Sequence, residues 1–348
     1  MTAASGRAFD GAAPSRSLSN YGVVGFRVEL LRLIVAMAIL GLIVAFYLGD
    51  TFTLNILATT FLFAGLATAW NIIGGLGGQF SLGHSVFFAI GAYVTAGFYM
   101  RLGVSPWFAL APAAVLAAIV SALVSFPVFR LRGPFFAIAT MALTEVVLSL
   151  ALYFESVTGG ARGISVPFRR GFANMIFTDR LSYALLMMGF LAITLLVLAY
   201  IARSRLGYEL RAIRDNDRTA EAAGINVVRT KLIGMAISAA LMAIGGGLYM
   251  MYVRVADPPT LLSLFDIGVK VALITLIGGI GTIYGPLLGA LLVVPLESML
   301  RATLGGVFPG SNLVVLGIIL ILTALYLRKG IAGAAEGIYT RIRKGRRT

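Results

Sequence analysis

The chain of 348 residues has no cysteine, one histidine, two tryptophans and only 14 acidic residues. Without cysteine there is no disulfide, no thiolate metal ligand and no cysteine nucleophile, and the redox compartment leaves no trace in the sequence. A lone histidine, His84, leaves little for a metal site, since zinc centres draw three or four ligands from His, Cys and carboxylates. No lysine follows a glycine and precedes Ser or Thr, so the phosphate-cradling loop of nucleotide hydrolases is missing. The glycine-rich stretches "GGLGGQFSLG" and "GGIGTIYG" fit no dinucleotide fingerprint, and neither sits in a strand–helix–strand unit. A cluster of His, Asp or Glu at helix ends, which an integral membrane enzyme would need, is also missing. The expectation is a non-catalytic chain with no cofactor and no metal.

Charge is scarce too. Only 12% of residues are Asp, Glu, Lys or Arg, against about 25% in soluble domains, and 59% are hydrophobic. Apolar runs of about 18 residues or more recur along the chain, the length that crosses a bilayer as a helix. The fold class expected is all-α, a polytopic transmembrane bundle of about ten spans. They are placed at 31–49, 51–73, 83–100, 106–129, 134–154, 181–202, 230–253, a short 267–281, 284–301 and 312–328. Around this transmembrane domain, 31–328, lie an N-terminal tail, 1–30, and a basic C-terminal tail, 329–348. The N-terminal stretch lacks an apolar segment ending in a cleavage site, so it reads as a cytoplasmic tail and not a signal peptide.

The net charge of +14 does not indicate nucleic acid, because basic residues cluster at the ends of apolar runs, where lipid headgroups and orientation account for them. With ten spans, 20 of the 28 Lys and Arg fall on one side, in the tails, the turn with Arg130 and Arg132, and the loop 203–231. Seven fall on the other side, and Lys270 lies within a span. The positive-inside rule then puts both termini in the cytoplasm.

Polar residues inside the spans are the next signal. "GGLGGQFSLGHSVFFAIGAY" (74–93) breaks an apolar region with six glycines, Gln79, Ser81, His84 and Ser85. Non-helical backbone at membrane depth persists only where protein or a watery cavity surrounds it, and broken helices build translocation sites. Gly74, Gly75, Gly77, Gly78 and Gly83 are therefore read as a helix break, with a new helix beginning near Gly83. Gln79, Ser81, His84 and Ser85 either line a route or hold its backbone. His84 is a proton relay or, more commonly for such a residue, hydrogen-bonded structure. Glu145, mid-span, is either a path-lining group or a protonated carboxyl bonded to a neighbouring helix. Lys270 is expected to snorkel outward, and Glu297 with Arg301 to form a local i, i+4 pair. Gly281, Gly285 and Gly289 have the spacing of close helix packing, as do Gly245, Gly246 and Gly247. Transport is the class these features favour.

The loop "RSRLGYELRAIRDNDRTAEAAGINVVRTK" (203–231) is the longest charged connection between spans. Within it, Asp217 is the expected N-cap, Thr219 to Ala223 a short helix and Gly224 its left-handed stop. A capped helix of small residues beside Leu210, Ile213 and Ile225 suits a docking element for a cytoplasmic partner better than a solvated linker.

These segments, with "TGGARGI" (158–164), "SRLGYELRAIRDNDRTAEAAGINVVRTKL" (204–232) and "VALITLIGGIGTIYGPLLGALL" (271–292), resemble the M-type permease subunits of bacterial ABC importers for branched-chain amino acids. The resemblance spans about residues 30–330. It implies an inner-membrane permease paired with a second, H-type permease subunit, two cytoplasmic ABC ATPase subunits and a periplasmic substrate-binding protein. It also implies that 212–225 is a coupling helix seated in an ATPase groove. Arg214, Asp215, Asp217, Thr219, Glu221, Ala222, Ala223 and Gly224 would form that contact, although the spacing is compressed relative to the commoner loop motif. The outer loop 155–180 and the "DPP" turn at 257–259 would face the binding protein. Sibling systems carrying urea, short amides or other amino acids share the architecture. An autonomous proton-coupled transporter using Glu145 or His84 is the alternative of another class.

Overall fold

The computed structural model describes residues 18–304 apart from 130 and 132, together with 314, 317, 318 and 330–333. The tenth expected span, 312–328, lies almost wholly outside the described residues, as do Arg130, Arg132, the first 17 residues and the end of the C-terminal tail. Among the described residues nine helices are long and apolar enough to cross a membrane.

The chain opens with α1 (Leu18–Phe46), whose apolar part is Arg27–Phe46, and turns at Asp50 into α2 (Thr51–Asn71). The Asp50 carboxylate accepts the Phe52 amide at 3.0 Å and caps the helix. A π-helical turn, Ile72–Leu76, extends α2, and an irregular stretch leads to α3 (His84–Leu102). Then come α4 (Pro106–Val128), α5 (Pro134–Tyr153) and a short α6 (Glu155–Thr158). After an outer connection, α7 (Arg180–Arg203) returns to the charged loop, which folds as α8 (Arg205–Asp215) and α9 (Asp217–Ala222). Next are α10 (Val227–Val253), α11 (Pro258–Leu261), a second π-helical segment (Leu264–Val269), α12 (Lys270–Gly278) and α13 (Gly285–Leu304).

Eight of the nine spans fall within a few residues of their expected positions. The ninth corrects the sequence reading: it is not a short helix from 267 but a composite span, Pro258–Gly278. Asp257 caps its start by accepting the Thr260 amide at 3.1 Å, and Ser263 caps the π segment by accepting the Asp266 amide at 3.0 Å. Proline and aspartate, which read as a turn, occupy the initial positions that tolerate them.

α2 has no charged side chain between Thr51 and Leu76 and is apolar all round, so it forms the centre of the bundle. Phe61, Leu62, Leu66, Trp70, Ile72 and Ile73 are fully enclosed between α7, α10 and α13. α4 packs on α10 through Ala109, Ala113, Ala117, Ser121 and Ser125, a small-residue stripe at i, i+4 that lets the helices approach closely. α3 crosses α10 at Gly91 and Gly246, where a Cβ would overlap the carbonyl oxygens of Ala243 and Phe88. The expected packing role of Gly246 is met there.

The two ends of the bundle differ. One carries α8 and α9. At the other, β1 (Ile164–Ser165) pairs antiparallel with β2 (Val255–Ala256), joining two connections far apart in sequence. The first connection is pinned further by the Trp107 indole, which donates to the Phe172 carbonyl at 2.8 Å and stacks on its ring.

Candidate functional site

At the α8–α9 end, two glycine-rich breaks meet. Asn71, the last residue of α2, donates to the Thr282 carbonyl at 2.7 Å and accepts the Gly281 amide at 2.8 Å. This side chain satisfies backbone groups of the 279–284 turn that no helix pairs. Gly75 lies so close to Asn71 and Gly281 that no Cβ fits between them. Gly281 itself has φ +77 and belongs to this turn, not to a helix face, which corrects its expected place in a packing motif. Gly285 and Gly289 do pack, against the backbone of Gly279 and Ile274.

Arg214, near the end of α8, donates to the Gly75 carbonyl at 3.1 Å, and its stem covers Gly78. A guanidinium thus caps the carbonyl of the π-helical turn, tying the α8–α9 element to both breaks. Leu210, Ile213 and Ala220 are buried and seat that element on the bundle. Glu209 accepts from Arg205 at 2.7 Å and from Thr230 at 2.9 Å; these partners hold its carboxyl below the usual range. Lys231 pairs with Asp217 at 2.8 Å.

The expected single helix over 212–225 is instead the junction of α8 and α9. The N-cap is Asn216, which accepts the Arg218 and Thr219 amides at 3.0 and 3.1 Å, and not Asp217, which is the first helical residue. Asn and Asp cap equally well, so spacing alone did not separate them. Gly224 adopts the left-handed conformation, φ +86, as anticipated. Thr219, Glu221, Ala222, Ala223 and Gly224 are exposed, and Arg214 and Asp215 border them. A cleft of about 490 Å³ runs between Gly78, Gln79 and this junction.

Beyond Gly77 the backbone dips into the bundle. The Trp70 indole donates to the Ser81 carbonyl at 2.7 Å, and the Leu82 amide donates to Thr140 Oγ1 of α5 at 3.0 Å. α3 begins at His84, with Gly83 buried in the cap position against Thr140. The His84 ring bridges Ser81 Oγ and Ser238 Oγ, both at 3.0 Å, and Ser238 Oγ donates to the Ala69 carbonyl at 2.8 Å. Ser238 stands roughly 16 Å along α10 at 1.5 Å per residue, so α3 starts deep inside the bundle. Ser81, His84 and Ser85 are fully enclosed, and Gln79 is half-buried at the cleft. Ser81 and His84 are tied into the hydrogen-bonded wall of the break, whereas Ser85 Oγ has no hydrogen-bond partner among the described residues.

Glu145 lies elsewhere. It is exposed on α5, between Thr144, which faces inward, and exposed Val146. Among the described residues its carboxylate has no hydrogen-bond or ion-pair partner.

The structure also assembles a site that sequence reasoning did not identify. Lys270 Nζ is 2.6 Å from Glu297 Oε2, and Arg301 is 2.8 Å from Glu297 Oε1. Lys270 also sits 4.2 Å above the Phe63 ring. It does not snorkel: the composite span places it near mid-helix, where it needs a counter-ion. The expected Glu297–Arg301 pair is present, and what the sequence did not signal is that Lys270 joins it from another helix.

A family profile described as branched-chain amino acid transport system / permease component matches residues 52–324. The high-affinity branched-chain amino acid transport system permease protein LivM of Escherichia coli K12 is 29% identical over 80% of this chain and 69% of its own. The protein of the same name from Salmonella typhimurium is 28% identical, over 85% and 73%. The nucleoside ABC transporter permease protein NupC of Lactococcus lactis is 25% identical, over 82% and 96%. No solved structure matches the chain.

Proposed function

Because the chain belongs to the family of permease components of branched-chain amino acid transport systems, we propose that it is the membrane-spanning subunit of an ABC importer for leucine, isoleucine and valine. The single observation that carries the mechanism is the α8–α9 element. Its Glu221–Gly224 surface is open to a partner, while Arg214 is bonded to the π-helical turn of the central helix.

In this reading the α8–α9 end is cytoplasmic, in the inner membrane, and an ATPase subunit seats against Glu221–Gly224. ATP binding draws two such ATPases together and moves the docked element. Arg214 passes that displacement to the 74–83 break, and the Leu82–Thr140 hydrogen bond passes it to α5. α5 carries Glu145 on its exposed face, where a charge would cost about 2.5–3.5 kcal/mol against lipid. A second, H-type permease covers that face, so Glu145 borders a route between the two subunits. Gln79, Ser81 and His84 hold the break that moves, and Ser85, whose hydroxyl is free among the described residues, lies beside it. At the other end, the β1–β2 pair brings the 155–180 connection beside Asp257–Pro259 as one platform for a periplasmic binding protein. Exposed Arg162, Arg169, Arg170 and Phe168 give that platform its positive and aromatic character.

The test is ATP-dependent uptake of radiolabelled leucine into vesicles holding the chain with its ATPases, second permease and binding protein. Leucine uptake that disappears without ATP is the expected result. The similarity to a nucleoside permease makes uridine the competing cargo. Uptake of uridine or urea in place of leucine would reassign the substrate, and uptake on a proton gradient without ATPases would overturn the reading.

A further inference from the structure

A cavity of about 530 Å³ opens between α2, α12 and α13 at the end opposite α8–α9. That volume is in the usual range for small-molecule sites. Four ionic groups line it: Asp266, Lys270, Glu297 and Arg301. The rest of its wall is mixed: Phe52, Ile56, Phe63, Ile267 and Val294 give it apolar surface, and Asn55, Thr59, Tyr249, Thr260 and Ser298 add neutral polar groups.

We infer that this cavity binds an amino-acid zwitterion with an apolar side chain, a substrate site inside the permease chain itself. The inference rests on the reading of the chain as an amino-acid permease and adds where that substrate lodges.

The charges argue for both ends of the ligand. Lys270 and Arg301 converge on one carboxylate, Glu297, at 2.6 and 2.8 Å. Lys270 and Arg301 present donors that a ligand carboxylate would share with Glu297, while the four ionic groups together carry no net charge. Asp266 has no ion-pair partner among the described residues; its Oδ2 accepts only the Ser263 hydroxyl, at 2.7 Å. It is the group available to a ligand ammonium. A lone anion would confront Asp266 and Glu297, and a lone cation would confront Lys270 and Arg301. An acyl chain would leave the enclosed Lys270 and Glu297 without solvent, a large cost in a membrane protein. A zwitterion satisfies both signs at once and leaves its aliphatic side chain against Phe63, Ile56 and Val294.

Placement supports the same conclusion. Thr260, on the cavity wall, belongs to α11, which follows directly on β2 of the proposed docking platform. A ligand released at that platform therefore meets the mouth of the cavity.

The purified full-length chain should bind radiolabelled L-leucine in a proximity assay. 4-Methylpentanoate, leucine without its ammonium, and isoamylamine, leucine without its carboxylate, should compete about tenfold or more weakly, the loss expected for one charge contact of about 1.4 kcal/mol. Asp266→Asn keeps the hydrogen bond to Ser263 and should weaken leucine about tenfold while leaving 4-methylpentanoate unchanged. Thr59→Phe fills the cavity without touching a charge and should abolish binding, with an unchanged elution profile on size exclusion as the folding control. Absence of leucine binding, equal binding of all three probes, or wild-type affinity in both variants would overturn the inference. If the assembled importer takes up leucine yet the cavity shows no such binding, this site fails and the transport reading stands. If the cavity binds leucine but the importer moves only another cargo, the transport reading fails instead.

Discussion

α2 and α5 are both apolar helices of membrane-crossing length, with mean hydropathies of 1.7 and 2.1 over their most apolar windows. Yet 94% of that window is buried in α2 and 22% in α5. Hydropathy reports that a helix leaves water; it does not report whether lipid or protein replaces the water. The polar residues carry that information. α2 spends Asn71 on the turn of another break and Asn55 on the Tyr252 hydroxyl, so its polar groups are satisfied inside the chain. α5 turns Thr140 and Thr144 inward but Glu145 outward, without a partner among the described residues. One helix is finished within the subunit, and the other leaves a charge on its exposed face.

The contrast can be broken by substitution. Trp70→Ala on α2 removes a fully buried indole and its bond to Ser81, and should destabilise the isolated chain by about 3–5 kcal/mol, read as thermal unfolding in detergent. Phe135→Ala on α5, exposed in the isolated chain, should change it by less than about 0.5 kcal/mol. Comparable losses from the two would remove the distinction between the helices. Asn71→Leu leaves the Gly281 amide and the Thr282 carbonyl without partners and should cost about 2–4 kcal/mol in the same assay. Glu145→Gln sharpens the comparison from the other side. It should leave unfolding of the isolated chain within about 0.5 kcal/mol of wild type, yet reduce uptake by the assembled importer. Unchanged uptake would place Glu145 away from the route.

The spans were legible because length and apolarity are local properties, and the α3 start near Gly83 was legible because glycine and polar residues interrupt them. The composite span from Pro258 was not. Its caps at Asp257 and Ser263 resemble turn chemistry until the helix they open is seen. That one misplacement put Lys270 near a helix end and hid its pairing with Glu297, since the partner lies on α13 and no spacing rule connects them. The exposed α9 turn was legible from its small residues and Gly224. Its attachment was not, because Arg214 was one arginine among seven basic residues in the loop, and only the fold shows which of them reaches Gly75.

The β1–β2 pair has a consequence for how this chain can be handled. Two residues on each side hold together connections that leave α6 and α10, and the halves are further joined where α2 meets α7 and α10 meets α3 and α4. A backbone opened between exposed Arg169 and Arg170 would therefore yield two pieces that remain one membrane particle. The protein lends itself to co-expression as complementary fragments, with reporters placed at the β1–β2 end of the bundle.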